Sequence, residues 1–381
     1  MANGPRRWSP IRSVLLTAWL PIGILLPVPA LLLLLGSVTW KGRLAGLAGL
    51  GLLLLPILVL LRPLLRRKNL LPALALAPVL VASIALPLTT PTGRPLEGSG
   101  VGSTFPGEHG FCRWSPWNLI PEIDQVGAGI FAASMVDPRV DPGLLRRVVL
   151  PVCREMEADE SFHRLGSVMN YAYAQFYAEE FDVGHFYSYV PPHAAGERLP
   201  TILFLHGSLG NFKVYLWAWK RFADRNRFVV VCPSFGSGLW DLNGGAQAAI
   251  RALDRAAAEL PIDPSRVWLA GLSNGGLGVS RAAAMAPERF RGLIYLSAVP
   301  EEGVLRSQAY LHGWRGRPVL FIHGDQDNRV PVREIDDTAR GLSAAGVNVA
   351  KRVRGGEDHF LFLASLDGML ADIEAWMRGL E

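Results

Sequence analysis

The distribution of apolar and charged positions divides the chain into two unlike parts. No charged residue occurs between Ser13 and Trp40, none between Leu44 and Leu61, and none between Asn69 and Gly93. A helix crossing the hydrocarbon layer takes about 20 apolar residues, so the first and third runs suffice. The second reaches that length through Arg62 to Leu65, whose arginine can snorkel to the headgroups. The pattern predicts three transmembrane helices over about 13–38, 44–65 and 69–88, a membrane domain of residues 1–93. Pro21, Pro27, Pro29, Pro56 and Pro78 are tolerable there as kinks. A cleaved signal peptide is the alternative for the first run, but its apolar core is too long and two further runs follow.

Lys and Arg set the expected orientation. Arg6, Arg7 and Arg12 precede the first run, and Arg62, Arg66, Arg67 and Lys68 separate the second from the third. Only Lys41 and Arg43 lie in the first loop, and Arg94 follows the third run. Positive charge stays in the cytoplasm, so three crossings place everything beyond about residue 95 on the extracytoplasmic side of the cell membrane. If the second run did not span, the remainder would face the cytoplasm.

Residues 94–183 read as a linker followed by a helical segment. Thr89 to Gly110 is rich in Gly, Pro, Ser and Thr without a period. Its Gly98, Gly100 and Gly102 lack the preceding strand and following helix that a dinucleotide loop requires. From Cys112 to Phe181 the spacing is helical, with Leu144, Val148, Val152 and Met156 as one stripe. The expected role of this segment is to pack on the main domain or shape a site entrance. An extracytoplasmic location would let Cys112 and Cys153 oxidise to a bridge, with two unpaired buried thiols as the alternative. Cys232 reads as a small core residue.

Beyond about residue 184 the pattern alternates short β-branched runs with amphipathic ones. The apolar runs are Thr201 to His206, Phe228 to Cys232, Arg266 to Ala270, Gly292 to Leu296, Pro318 to His323 and Val347 to Val353. Helices are expected to begin near Asn211, Asn243, Asn274, Val332 and Leu361. Continuous apolar strands separated by helices imply an α/β domain over 184–381, a mostly parallel sheet covered on both faces. Reactive groups in such sheets sit at the carboxyl ends of the strands.

Composition narrows the class. The chain is 50% hydrophobic and 19% charged, and its mean hydropathy of +0.24 is high for a soluble enzyme of this length. The 11 Trp, 16 Phe and 8 Tyr exclude general disorder. A net charge of +5 comes without a basic block interleaved with aromatics, so no nucleic-acid partner is expected. Three cysteines exclude a disulfide scaffold and supply no CxxC pair. The spans hold no internal acid or histidine, which disfavours a transporter.

The strand-like run ending at Ala270 continues into Gly271-Leu272-Ser273-Asn274-Gly275 and then a helix-like stretch. In that strand–turn–helix context Gly-x-Ser-x-Gly puts a serine on a sharp turn, with small neighbours where strand and helix approach. Ser273 is the candidate nucleophile. A serine hydroxyl needs a base, and His359, after the last strand-like run, is the candidate. His206 and His323 end strands before glycines and read as structural. His312 reads as a surface residue, and His109, His163, His185 and His193 have no supporting pattern. The base needs a carboxylate. Asp327 is favoured, with Asp325 read as a turn cap and Asp358 as a weaker choice. Oxyanion donors are expected from the backbone N–H of Asn274 and of Ser208 in His206-Gly207-Ser208-Leu209-Gly210, with Leu209 as the alternative.

His206-Gly207-x-x-Gly210, Gly271-x-Ser273-x-Gly275, Gly324-x-x-Asp327-x-x-Val330-Pro331 and Gly356-x-x-His359 together resemble the α/β-hydrolase superfamily over roughly residues 184–381. Within it, the match is similar to dienelactone-hydrolase-like esterases, carboxylesterases and prolyl-oligopeptidase-type peptidases. The short stretch between Leu296 and Pro318 departs from relatives with a large lid there, implying an open site. The resemblance implies a serine hydrolase acting on a small acyl ester, without metal or organic cofactor, and the apolar runs, which the resemblance does not cover, imply that it is membrane-anchored. A serine peptidase acting on short peptides or an acyltransferase would use the same residues. A non-catalytic binding protein would not need the whole set.

Overall fold

The computed structural model describes residues 26–61, 70–107, 109–136, 140–178, 181–242 and 244–380, together with Trp19 and Gly23. The chain divides into two compact units, one of residues 1–90 and 119–146, the other of residues 91–118 and 147–381.

The first unit is helical. Trp40–Leu61 and Leu70–Leu88 form continuous helices with Pro56 in the first and Pro78 and Pro87 in the second. They touch where Gly51 lies so close to the Ala75 carbonyl that a Cβ would come within 2.3 Å of its oxygen. Such small-residue contacts bring helix backbones together without help from water. Both helices are long and apolar enough to cross a membrane, by length and composition. Of the three expected spans, two have a helix of this length among the described residues. Part of the run 13–38 lies outside them, and within its described part the ten-residue helix Pro27–Gly36 ends where Ser37 turns extended. Arg6, Arg7, Arg12, Arg62, Arg66, Arg67 and Lys68, on which the orientation rests, also lie outside the described residues.

A carboxylate orders the start of Trp40–Leu61. Asp124, fully buried in the helix Glu122–Val136, accepts from the backbone N–H of Val38 and Thr39 at 2.7 Å each and of Gly42 at 3.1 Å, and from the Thr39 hydroxyl. An anion placed there satisfies donors that a helix N-terminus leaves unpaired.

The second unit is an α/β sandwich on an eight-stranded sheet. Its strands are β1 (Val101–Thr104), β2 (Phe186–Tyr189), β3 (Leu199–Leu205), β4 (Val229–Pro233), β5 (Ile262–Leu272), β6 (Gly292–Leu296), β7 (Pro318–Gly324) and β8 (Asn348–Arg354). The spatial order is β1-β2-β4-β3-β5-β6-β7-β8, with β3 to β8 parallel and β1 and β2 antiparallel at one edge. Side chains alternate across the sheet. Leu203, Leu205, Leu269, Leu293 and Val319 share a core with the helices Gly245–Glu259, Gly275–Met285 and Val332–Ala344. On the other face Phe204 meets Trp219 and Phe362, and Trp268 meets Trp376 of the last helix. β4 and β6 are therefore buried along their whole length. β8 closes the far edge with Lys351, Arg352 and Arg354, a charged rim that discourages further strand pairing.

The middle segment differs from its reading as linker and helices. Part of the stretch read as linker forms β1, entered where Gly100, at φ 72°, packs against the Val190 carbonyl. A four-residue strand with a glycine leaves no alternating pattern to read. The helical stripe is displaced by one position except at Met156: in Pro142–Ala158, Leu145, Val149, Cys153 and Met156 are buried, whereas Leu144 is exposed. Cys112 is exposed, Cys153 and Cys232 are buried, and no disulfide joins any of them, so the bridge considered for Cys112 and Cys153 is not formed.

Candidate active site

β5 runs straight into the elbow. Ser273 has φ 52° between the end of β5 and the helix Gly275–Met285. This left-handed backbone is costly for a residue with a side chain and persists only where the surroundings enforce it. The enforcement is visible. The Ser273 N–H donates to the Leu296 carbonyl at 3.1 Å, and its own carbonyl accepts from Gly276 and Val299 at 2.9 Å each. A Cβ at Gly275 would come within 2.2 Å of the Leu205 carbonyl oxygen, and one at Gly271 within 2.6 Å of the Gly275 carbonyl group. Both small residues are thus required by close packing of strand, turn and helix.

The Ser273 hydroxyl lies 2.9 Å from His359 Nε2, and His359 Nδ1 lies 2.8 Å from Asp327 Oδ2. The three come from the ends of β5, β7 and β8. Asp327 is fully buried at its side chain, whereas His359 retains 12% exposure. The second Asp327 oxygen accepts from the backbone N–H of Arg329 and Val330 at 2.9 Å each. Burial alone would raise the Asp327 carboxyl, but the hydrogen bond from His359, its charge and the two backbone donors outweigh that and hold it below its ordinary value. A carboxylate kept ionised beside Nδ1 holds the proton there and leaves Nε2 to accept from the serine.

The remaining candidates fall into other places. Asp325 accepts from the Gly356 N–H at 2.8 Å, which ties the loop after β7 to the loop bearing His359. Asp358 accepts from the Phe360 N–H at 2.8 Å. His323 Nε2 donates to the Val330 carbonyl at 2.7 Å and lies 3.3 Å from Asp327; burial lowers its pKa. His206 Nδ1 donates to the Gly207 carbonyl at 2.8 Å and Nε2 accepts from Phe235 N–H at 3.2 Å. His312 is exposed on the helix Gln308–Trp314.

The loop after β3 lies directly against the elbow, since a Cβ at Gly207 would be 3.2 Å from the Cβ of Ser273. Ser208 and Leu209 are both exposed, and Leu209 has φ 80°. Among the described residues, none accepts from the backbone N–H of Ser208, Leu209 or Asn274. Backbone donors without an acceptor beside a serine suit an oxyanion.

Sequence reasoning missed the groups that hold this loop. Asn211, 1% exposed, donates through Nδ2 to the Cys232 carbonyl at 2.7 Å and to Ser234 Oγ at 3.1 Å. Ser234 Oγ in turn meets His185 Nδ1 at 2.8 Å, and His185 Nε2 meets Ser103 Oγ at 3.0 Å. The polar residue directly after the loop was the only local clue. The upstream helix Met169–Ala178 packs on the same loop: Met169 and Ala172 abut Gly210, and Gln175 hydrogen-bonds Ser237.

No protein-family model matches the chain. A bifunctional acetylxylan esterase/xylanase from Neocallimastix patriciarum is 28% identical over 154 residues, 39% of this chain and 22% of that protein. An esterase from Mycobacterium tuberculosis is 26% identical over 133 residues, 35% of this chain and 43% of that protein. The chain thus spans less than half the length of either curated relative. Among solved structures, an esterase from Thermogutta terrifontis matches with a TM-score of 0.40 and 20% identity, over 51% of this chain and 86% of that one. A hyperthermophilic esterase from Pyrobaculum calidifontis matches with a TM-score of 0.43 and 18% identity, over 51% of this chain and 81% of that one.

Proposed function

We propose that the chain is a membrane-anchored serine hydrolase that cleaves carboxylic esters through an acyl-enzyme. The observation that carries this reading is the continuous contact from Ser273 Oγ to His359 Nε2 and from His359 Nδ1 to Asp327, with the serine on a left-handed elbow. Ser273 Oγ attacks the acyl carbonyl while its proton passes to His359 Nε2. The tetrahedral oxyanion is held by the N–H of Asn274 and of Ser208 or Leu209. Collapse breaks the bond to the alkoxide, which leaves as the alcohol with the imidazolium proton. Water then attacks the acyl group, losing its proton to His359, and the acid departs as Ser273 recovers its hydrogen. Both curated relatives carry esterase in their names, which supports an ester as substrate.

The two apolar helices support anchoring. Leu52, Leu54, Leu74, Leu80, Val81 and Ile84 are exposed on them, a surface suited to lipid. In this reading the run 13–38 crosses as well, and the bias of Lys and Arg in the sequence puts the catalytic unit outside the cytoplasm.

A fluorophosphonate probe tests the chemistry. Labelling of the full chain is expected and is lost in Ser273→Ala. A folded wild-type protein that is not labelled would overturn the reading. Hydrolysis of short acyl esters against peptide amides then fixes the bond cleaved, and protease digestion of intact cells fixes the side of the membrane.

A further inference from the structure

The proposed reaction uses the carboxyl ends of the strands. At their amino ends lies a cavity of about 430 Å³, formed where β3, β4 and β5 begin. Trp268 lines it, and five residues further along β5 comes Ser273, roughly 16 Å away at the rise of an extended strand. No part of the proposed reaction involves this cavity.

Its chemistry is unlike ordinary surface. Buried Phe222, Phe228, Trp268 and Met377 supply an apolar floor. Above it stand five arginines, Arg198, Arg227, Arg266, Arg291 and Arg378, and two carboxylates, Glu197 and Glu374. Arg227 pairs with Glu197 at 2.6 Å, and Arg378 pairs with Glu374. Arg266 pairs with Asp263 at 2.6 Å. Two guanidinium groups are left without a carboxylate among the described residues. Arg198 donates only to the Ile262 carbonyl, at 3.1 Å, and Arg291 lies over the Trp268 ring, 5.9 Å from its centre.

We propose that this cavity binds a phosphomonoester carrying an apolar or aromatic group. Two uncompensated positive charges match a dianion, and the guanidinium fork matches phosphate oxygens. The volume falls in the range of small-molecule sites, and the apolar floor with a few placed charges is their usual composition. The phosphate sits at Arg198 and Arg291 and the apolar group on the aromatic floor. An anionic lipid headgroup and a soluble organic phosphate share this chemistry.

The test is calorimetric titration of the purified full chain with phenyl phosphate and with inorganic phosphate, read without any turnover. Saturable binding of phenyl phosphate is expected, tighter than inorganic phosphate because only the former reaches the floor. Affinity should fall as pH drops below about 6, where the ligand loses its second charge. The double variant Arg198→Gln/Arg291→Gln should bind at least tenfold more weakly, with its melting temperature in phosphate-free buffer close to wild type. The single variant Arg291→Gln should show a smaller loss. Displacement of phenyl phosphate by nanodiscs containing phosphatidic acid, and not by phosphatidylcholine discs, assigns the site to a lipid headgroup. No displacement by either, with phenyl phosphate still bound, assigns it to a soluble phosphate. Absence of saturable phenyl phosphate binding, or equal binding by both arginine variants and wild type, overturns the proposal.

Discussion

Asn211 and Cys232 are joined by a buried 2.7 Å hydrogen bond from the Asn211 carboxamide to the Cys232 carbonyl. That bond fixes the loop after β3 to the end of β4, one residue beyond the glycine that closes His206-Gly207-Ser208-Leu209-Gly210. Because this loop carries proposed oxyanion donors, its position matters most when charge develops. Asn211→Ala should lower kcat about tenfold, the equivalent of roughly 1.4 kcal/mol, with KM changed less than twofold. Steady-state kinetics on a short acyl ester measures this. An unchanged kcat would mean that the loop holds its place without Asn211.

The elbow makes a different demand, on space rather than on hydrogen bonding. Since a Cβ at position 275 meets the Leu205 carbonyl oxygen at 2.2 Å, the strand and helix must separate to admit Gly275→Ala. Backbone cannot yield as a flexible side chain does. The variant should melt well below wild type and lose fluorophosphonate labelling at temperatures where wild type reacts. Gly303→Ala, where an added Cβ meets nothing within 4 Å, is the control and should behave as wild type. Equal melting of the two variants would count against the packing argument.

The parallel part of the fold was legible because its strands are buried on both faces and so leave uninterrupted apolar runs. The apolar run Gly292 to Leu296 has the same bounds as β6, and the helix starts expected near Val332 and Leu361 coincide with those of the structure. The elbow was legible for a related reason, since close approach admits only small residues at fixed offsets from Ser273. What escaped was structure specified by distant partners. β1 exists only because β2 pairs with it, and Asp124 acquires its role only when Val38 and Thr39 are brought to it. The stripe at Leu144 failed by one position because apolar residues occur at both 144 and 145, and spacing alone could not choose between them.

Two aspartates in one loop meet different partners. Asp327 faces His359 Nδ1, whereas Asp325 binds the Gly356 N–H. Asp327→Asn keeps a similar volume but can leave the imidazole in the wrong tautomer, and a loss of about 10⁴ in kcat is expected. Asp325→Asn should lose less than about tenfold, since one backbone hydrogen bond is weakened. Comparable losses in both would move the proposed acid away from Asp327.

Buried histidines set the acid stability. Burial lowers His185 to about 3; His206 is lowered to about 4 by burial, against the opposing hydrogen bond to the Gly207 carbonyl. Unfolding returns both to 6.5. Between pH 6.5 and the folded values the unfolded chain binds more protons, so stability is fully present above 6.5 and is lost as pH falls. These two groups by themselves give a slope approaching about 2.7 kcal/mol per pH unit, and a loss of about 4 kcal/mol by pH 5, and His323, also lowered by burial, acts in the same direction. For a unit of this size that is on the order of 10 °C in melting temperature. Asp327, held below its ordinary 3.8, loses its contribution only at pH values below that, in a separate window. Thermal melts at pH 7.5 and 5.0 should therefore differ clearly in the wild type. His185→Asn, which removes one titrating ring, should show a smaller difference whatever its absolute stability. Identical melting of the wild type at the two pH values would show that neither imidazole is kept neutral by the fold.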